Sequence, residues 1–172
     1  MEVEIAKLVA KRRYECARSN NVTNAKKGPQ SNEETDQDGF GAELAFGSIF
    51  NAFPDFTIFV RSALKGEDNK GDFNINGWVI DVKQTRHLKG RLIVAPWKVE
   101  GICEIDYFAL MVGQIPTFTF MGFFAAHDIY VPDRLKDLGW GPVYKAEQDE
   151  LYQLDFRECP CPRDNQEPVS RV

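Results

Sequence analysis

The dipeptide Asn76-Gly77 constrains the fold of this chain more than any other feature, because it predicts a tight two-residue turn between β-strands. A type I′ turn requires positive φ at both central residues, which asparagine and glycine tolerate better than other residues do. Pairing outward from this turn places residues 72–75 opposite residues 78–81 in an antiparallel ladder. The sequence therefore predicts a β-hairpin with a defined register.

Side-chain alternation divides this hairpin into an apolar face and a charged face. The apolar face is expected to join the core and consists of Phe73, Ile75, Trp78, Ile80 and Val82. The other face consists of Asp72, Asn74, Val79, Asp81 and Lys83. Asp72 and Asp81 are expected directly across the ladder, about 5 Å apart, where two like charges repel each other. A divalent cation held between them would offset this repulsion, with Lys83 about 7 Å further along the same face.

Length and composition favour a single domain that spans residues 1–172. A hydrophobic content of 43%, with 12% aromatic residues, is typical of a globular protein and argues against disorder. The net charge of −5 disfavours a protein that coats DNA without specificity, but it leaves room for a local basic patch. The chain has no apolar leader and no membrane-spanning run, so we expect a cytoplasmic protein with no membrane partner.

The cysteines do not predict a disulfide framework. Cys16, Cys103, Cys159 and Cys161 follow no secretory signal, so we expect them to be free thiols. The Cys-Pro-Cys-Pro run at 159–162 offers two sulfur ligands, but no second ligand pair has the spacing of a zinc site. A structural zinc or iron–sulfur site is therefore not favoured.

Hydrophobic periodicity and turn residues predict the remaining elements. Helices are predicted over 2–17, 39–52 and 131–138, with Pro54 ending the second, and a mobile polar loop over 20–38. Strands are predicted over 55–61, 91–95, 105–112 (fully buried), 116–125 after the Gly113-Gln114 break, and, as edge strands, 143–145 and 151–156. A polar loop over 62–71, a basic turn over 85–90 and an irregular tail from Cys159 complete the chain. Helices followed by an antiparallel meander and short elements indicate an α+β or α/β fold.

Asp72, followed by Asp81-Val82-Lys83, resembles the motif of the PD-(D/E)xK nuclease superfamily, which has the restriction-endonuclease-like fold. The segment 41–46 (Gly-Ala-Glu-Leu-Ala-Phe) looks like the first-helix segment of that superfamily, in which a Glu often completes the acidic site. Residues 60–86 are similar to archaeal-type Holliday junction resolvases and to phage nuclease-like proteins. The chain departs from the resolvase pattern in having Asp81 where Glu is usual, and Gly71 where Pro is usual.

This resemblance implies a mixed central β-sheet flanked by helices, a catalytic core over 39–125 and a C-terminal extension over 126–172. It implies a Mg²⁺-dependent DNA endonuclease, with Mn²⁺ as a substitute, that lies in the host cytoplasm if a phage encodes it. The metal would be held by Asp72, Asp81 and the main-chain carbonyl of Val82, and Glu43 would bind a second ion or a metal-bound water. Lys83 would orient the attacking water or stabilise developing negative charge. The implied catalytic residues are Glu43, Asp72, Asp81 and Lys83.

A basic segment follows the motif and is expected to contact DNA phosphates. Its candidates are Gln84, Thr85, Arg86, His87, Lys89 and Arg91, with Lys98 further along the chain. Each candidate also has a structural interpretation. The basic residues fit a solvated turn, Asp81 with Lys83 fits a surface ion pair, and Glu43 fits a favourable helix dipole interaction.

Alternative functions remain open from the sequence. Branched or junction DNA is the substrate that the resemblance suggests, and a phage-type nuclease that nicks or degrades ordinary duplex DNA is the first alternative. A non-catalytic DNA-binding protein of the same fold is the second, and a metal-dependent hydrolase of another substrate is the third. A homodimer is also left open.

Overall fold

The computed structural model describes residues 2–19, 29–56, 71–96, 105–139 and 141–156. The helices are α1 (Glu2–Ser19), α2 (Asn32–Phe50) and α3 (Ala126–Ile129). The strands are β1 (Phe73–Ile75), β2 (Trp78–Thr85), β3 (Leu92–Val94), β4 (Tyr107–Gln114), β5 (Thr117–Ala125), β6 (Leu135–Asp137) and β7 (Pro142–Ala146). The fold is a mixed α+β arrangement with a mixed β-sheet and packed helices, as the sequence predicted.

The predicted hairpin is confirmed with its register. Asn76 and Gly77 have φ values of 51° and 85°, which are the positive values that a type I′ turn requires. The strands pair Ile75 with Trp78, Asn74 with Val79, and Phe73 with Ile80. The turn chemistry therefore fixes which residue faces which, and the predicted apolar face does pack into a buried cluster.

The predicted antiparallel meander is wrong at its centre. The main sheet has the order β1-β2-β4-β5, and β2 runs parallel to β4 while the other pairs are antiparallel. Strand β3 lies in a second sheet with the order β3-β7-β6. The sequence predicted β3 correctly as a strand, but its partner is more than 45 residues away in β7. Periodicity indicates that a segment is extended and does not indicate which strand lies beside it.

Strand β4 is buried on both faces, as the sequence predicted. Phe108, Leu110 and Val112 face a core that includes residues of the second sheet and α3. Ala109 and Met111 face a different core, formed with α2. All five side chains are at most 4% exposed. The main sheet is therefore a layer between α2 and the second sheet, which explains the uninterrupted apolar run in this strand.

Aromatic side chains fill the core between α2 and the main sheet. Phe46 is fully buried, and its ring lies 4.5 to 6.0 Å from four other phenylalanine rings. These rings belong to Phe50, Phe73, Phe120 and Phe123. Such tilted and edge-on contacts add to the free energy gained from burying the apolar surface. This core fixes α2 against the sheet and so determines where its other side chains lie.

Helix α2 begins earlier than the sequence predicted. The expected mobile loop over 20–38 is wrong from residue 32 onward, while residues 20–28 lie outside the described part of the chain. Ser31 caps the helix by accepting a hydrogen bond from the backbone N–H of Glu34, whose carboxylate accepts one in return from the N–H of Ser31. The helix ends at Phe50, where Asn51 takes the left-handed conformation, so Pro54 is not its terminator.

Three further predictions need correction. The expected helix over 131–138 is a single 3-10 turn (Pro132–Arg134) followed by β6. The expected edge strand over 143–145 is β7, which is the middle strand of its sheet. Residues 151–156 form only a bridge from Tyr152 to Phe123. A proline at the start of a polar segment fits a helix or a turn equally well, and hydrogen-bonding partners decide between them.

Some predictions fall on residues that are not described. A strand was predicted over 55–61, but Asp55 and Phe56 are not in a strand. The rest of that segment and the predicted loop over 62–70 lie outside the described residues. The tail with Cys159 and Cys161 is also outside them, together with Cys103 and Lys98. Cys16 forms no disulfide within the described ranges. None of the described helices combines the length and the apolar character that a membrane span requires.

Replacing Phe46 with alanine should lower the free energy of unfolding by about 3–5 kcal/mol, because the change leaves a cavity among packed aromatic rings. Phe53 offers a matched control, since it is 92% exposed in the same part of the chain. Urea unfolding of Phe46→Ala and Phe53→Ala, followed by circular dichroism, measures both effects. Equal losses in the two variants would contradict the assigned core.

Candidate functional site

The acidic site begins where the hairpin ladder ends. The predicted direct pairing of Asp72 with Asp81 is wrong, because the ladder stops at Phe73 and the backbone N–H of Asp72 donates to the carbonyl of Ile80. Gly71 turns the chain here with a φ of 67°, and a Cβ at this residue would lie 2.6 Å from Val79 Cγ1. The turn leaves the side chain of Asp72 outside the ladder.

The carboxylate of Asp72 binds the backbone of β2 instead. Its Oδ2 atom accepts a hydrogen bond of 2.6 Å from the N–H of Val82. The N–H and C=O groups of one strand residue point to the same side, so the carbonyl of Val82 also faces the side on which Asp72 lies. Within the described residues, β1 pairs with β2 only as far as Ile80. A carboxylate and a carbonyl oxygen therefore lie on the same edge of the sheet.

Asp81 and Lys83 lie on one face of β2 and form an ion pair. The side chain of Asp81 is 6% exposed, and that of Lys83 is 24% exposed. The Lys83 ammonium also lies 5.8 Å from the centre of the Phe108 ring on the neighbouring strand. The expectation that the lysine lies in phase with the aspartate is confirmed. The lysine partly offsets the unfavourable burial of the Asp81 carboxylate.

Glu43 reaches the same region from α2. Burial raises the pKa of the Glu43 carboxyl to about 8, and the negative charge of Asp72 and, less strongly, that of Asp81 act in the same direction. Of the two aspartates, Asp72 therefore has the stronger effect on Glu43. The two aspartates come from the hairpin, whereas the glutamate comes from a helix that packs across the sheet. The tertiary structure therefore makes the protonation of Glu43 sensitive to the charges of both aspartates.

Arg13 is a member of this site that sequence reasoning missed. Its Nη1 atom donates to Oε1 and Oε2 of Glu43 at 3.3 and 3.2 Å, and its Nη2 atom donates to the carbonyl of Asp55. The guanidinium lies 4.5 Å from the centre of the Phe40 ring. Arg13 lowers the pKa of Glu43, against the effect of burial. Nothing local in the sequence distinguishes it from the other charges of α1.

The oxygen atoms of this site suit a hard cation. Mg²⁺ prefers oxygen ligands and is often bound through one or two carboxylates together with water. Asp72, Asp81 and the Val82 carbonyl would supply such a set. Within the described ranges, no three His, Cys, Asp or Glu side chains form a group that could hold a metal ion together. A metal ion here would therefore have the two aspartates and the main-chain carbonyl as its protein ligands, while Glu43 is held by Arg13.

The first three predicted DNA contacts make intramolecular bonds. The Gln84 amide donates to the carbonyl of Gly113, and the Thr85 hydroxyl accepts from the N–H of His87 at 3.3 Å. The Arg86 guanidinium pairs with Asp38, which is buried. These side chains therefore have structural partners within the protein.

Asp38 is a second residue that sequence reasoning missed, since it falls in the predicted loop. Its Oδ2 atom binds Arg86 at the end of β2, and its Oδ1 atom accepts a hydrogen bond of 3.2 Å from the N–H of Ile115 after β4. It thereby ties the first half of α2 to the ends of both strands. A cleft of about 570 Å³ lies beside this contact, lined by Val3, Lys7, Glu34, Gln37, Asp38, Arg86, Gln114, Ile115 and Pro116. None of the three clustered acids lines this cleft.

The remaining basic candidates lie on an anchored turn. His87 and Lys89 are exposed, and Arg91 forms an ion pair of 2.8 Å with Glu147. The side-chain amide of Gln148 donates to the carbonyls of Leu88 and Gly90 at 2.9 and 2.7 Å. These bonds tie the turn to the segment after β7. The exposed side chains of His87 and Lys89 are therefore presented from a fixed backbone.

No protein-family model, curated protein or solved structure matches this chain. The candidate function therefore rests on the residues of the site.

Replacing Glu43 with glutamine should change how stability depends on pH. The pKa of about 8 in the folded protein exceeds the ordinary value of 4.5, so the folded state holds the proton more tightly than the unfolded state does. The stabilisation from this group is complete below pH 4.5 and is lost as the pH rises toward 8 and above. The melting temperature of Glu43→Gln relative to wild type should therefore rise across this interval. Glu4→Gln, on the exposed surface of α1, is the matched control, and a constant difference for Glu43→Gln would contradict the assignment.

Proposed function

We propose that this protein is a Mg²⁺-dependent DNA endonuclease of the PD-(D/E)xK type. One observation carries the proposal. Lys83 lies on the same face of β2 as Asp81 and is ion-paired with it, and the Asp72 carboxylate accepts a hydrogen bond from the N–H of Val82, the residue between them. Buried carboxylates with a lysine on the same face of the strand are an arrangement suited to phosphodiester hydrolysis.

Asp72, Asp81 and the carbonyl of Val82 would hold the Mg²⁺ ion. When bound there, the ion would supply Lewis acidity toward the scissile phosphate and lower the pKa of a bound water. The hydrogen bond from the Val82 N–H fixes one oxygen of Asp72, so the orientation of this carboxylate is set before any ligand arrives. The strand pairing with β4 fixes the backbone of Asp81, and the ion pair with Lys83 holds its carboxylate.

The protein's own side chains have separate roles in the proposed reaction. The Lys83 ammonium stabilises negative charge that develops on the phosphate oxygens, and its contact with Phe108 restricts where it can lie. The raised pKa of Glu43 lets its carboxyl group exchange a proton near neutral pH. His87 and Lys89, on the anchored turn after β2, bind flanking phosphates.

Branched DNA is the substrate to test first, because the sequence motif resembles that of junction resolvases. Ordinary duplex DNA is the alternative substrate for the same site. Both substrates contain the phosphodiester that the acidic cluster and Lys83 would act on. The two are separated by comparing a four-way junction with a duplex of the same sequence.

Asp81→Asn and Lys83→Ala should each lower the cleavage rate by about 100-fold or more, because each removes charge from the reacting centre. Cleavage is measured with Mg²⁺ and with Mn²⁺ on the junction and the duplex. Asp149→Asn and Lys136→Ala are matched controls, because both residues are exposed and neither belongs to the acidic site. These controls should retain wild-type rates.

Undiminished cleavage by either site variant would contradict the assigned roles. Wild-type protein that binds both DNA forms and leaves them uncut with either metal would favour a non-catalytic binding protein. Binding is followed by fluorescence anisotropy under the same conditions.

Lys89→Ala should weaken DNA binding about equally for all sequences and reduce the slope of log K against log salt by about one, because it removes one phosphate contact. Lys136→Ala again serves as the control, since it removes the same charge from β6. Binding is measured over a series of salt concentrations with the Asp81→Asn variant, which should not cleave the DNA. An unchanged salt slope would show that Lys89 makes no phosphate contact.

A further inference from the structure

Leu88 projects from the tip of the turn that follows β2. It is 83% exposed, which is the highest value among the described leucines. Single exposed leucines are common on protein surfaces, so exposure by itself does not indicate a function. Leu88 differs from such residues in the hydrogen bonding of the backbone that carries it and in the charge of its neighbours.

Leu88 and Lys89 are the two central residues of a hydrogen-bonded β-turn. The N–H of Gly90 donates to the carbonyl of His87 at 2.8 Å. Gly90 lies so close to the end of β2 that a Cβ there would collide with the side chain of Thr85. The Thr85 hydroxyl in turn accepts a hydrogen bond from the N–H of His87. The turn is therefore closed by its own hydrogen bond and packed against the strand.

The segment after β7 holds the same turn from outside. The Gln148 amide donates to the carbonyls of Leu88 and Gly90 at 2.9 and 2.7 Å. Gln148 begins a 3-10 turn that is itself fixed, because Glu147 and Glu150 each accept a hydrogen bond from the backbone of the other. The backbone of Leu88 is thus ordered before any ligand binds. A side chain on such a backbone loses less conformational entropy on binding than one on a flexible loop.

The segment around Leu88 is basic. No acidic residue lies between Asp81 and Glu100. The basic residues over 82–91 are Lys83, Arg86, Lys89 and Arg91. An exposed lysine next to a projecting apolar side chain suits DNA, in which phosphates flank a stack of bases that an apolar side chain can enter. A single leucine is too small to form the apolar centre of a stable protein–protein interface.

Leu88 is also close to the proposed reacting centre. It follows Lys83 by five residues, so the Cα atoms of the two residues lie at most about 18 Å apart. That distance is about five base steps of DNA. A contact between Leu88 and the bases would therefore fall near the phosphate on which the proposed site acts.

We propose that Leu88 inserts between adjacent bases of bound DNA as an apolar wedge, while Lys89 beside it binds a phosphate. Insertion unstacks one base step and bends the DNA. Opening a step costs least where stacking is already interrupted, as at the branch point of a junction. The inference rests on the proposed function in taking DNA as the ligand, but it does not depend on the acidic site.

Fluorescence of 2-aminopurine tests the proposal, because this adenine analogue emits more strongly when it is unstacked. It is placed at the branch point of a four-way junction and at the TA steps of a duplex with the same arms, since these steps open easily. The protein is the Asp81→Asn variant, which should not cleave the DNA. Its binding should raise the emission of at least one of the two DNA forms by about twofold or more.

Leu88→Ala, added to Asp81→Asn, should abolish this rise, because a methyl group is too short to enter the stack. The exposed position of Leu88 means that the change should leave the fold intact. Leu88→Met should retain the rise, since methionine also acts as a wedge. Leu8→Ala is the matched control, because Leu8 is 61% exposed on α1, and it should leave the rise unchanged. Leu88→Ala removes no charge, so the slope of log K against log salt should not change, in contrast to Lys89→Ala.

The outcomes separate the wedge from the proposed nuclease. If Asp81→Asn binds DNA and the emission does not rise, or rises equally with Leu88→Ala, the inference is wrong, and cleavage by wild type leaves the proposed function standing. If the rise depends on Leu88 and wild type cleaves neither DNA form, the wedge stands and the nuclease falls. If wild type binds neither form, both fall. A dimer in sedimentation velocity that Leu88→Ala dissociates, with the emission unchanged, would overturn the wedge in favour of a contact between two copies.

Discussion

The parallel pairing of β2 with β4 is the interaction on which the rest of this structure depends. Strand β4 is buried on both faces and contributes alternate side chains to the two cores of the main sheet. Strand β2 follows it over six residues, from Ile80 to Thr85, whereas the described part of β1 covers β2 only up to Ile80. In the part of the chain that the structure describes, the second half of β2 therefore has a strand partner on one side only. Asp72 lies on the other side, where its carboxylate accepts a hydrogen bond from the Val82 N–H.

The electrostatics of the site follow from burial as much as from proximity. A carboxylate taken out of water is unfavourable unless a cation or hydrogen-bond donors replace the lost solvent. Each acid has its own partner, which is the Val82 N–H for Asp72, Lys83 for Asp81 and Arg13 for Glu43. These partners come from the hairpin itself or from α1, so the site is assembled by packing three separate segments.

Parts of the fold were predictable because their signals act over a few residues. The Asn76-Gly77 turn fixed the hairpin register, and the apolar run of β4 indicated burial on both faces. The start of α2 was also marked, since Ser31 and Glu34 have the spacing of a capping box, yet the surrounding polar residues suggested a loop. The direct pairing of the two aspartates failed because Gly71, with its positive φ, takes Asp72 out of the ladder.

The sequence by itself determined the hairpin and placed the Lys83 and Asp81 side chains on one face of a strand. It also determined which side chains carry the oxygen atoms that a hard metal ion would need. These follow from backbone preferences and from the two-residue alternation of a strand. Only the tertiary structure decided that β2 and β4 run parallel, that Arg86 binds Asp38, and that Arg13 binds Glu43. Those side-chain partners are 48 and 30 residues apart in the chain. No local pattern specifies such pairs, because they form only when helices and sheets bury their apolar faces against one another.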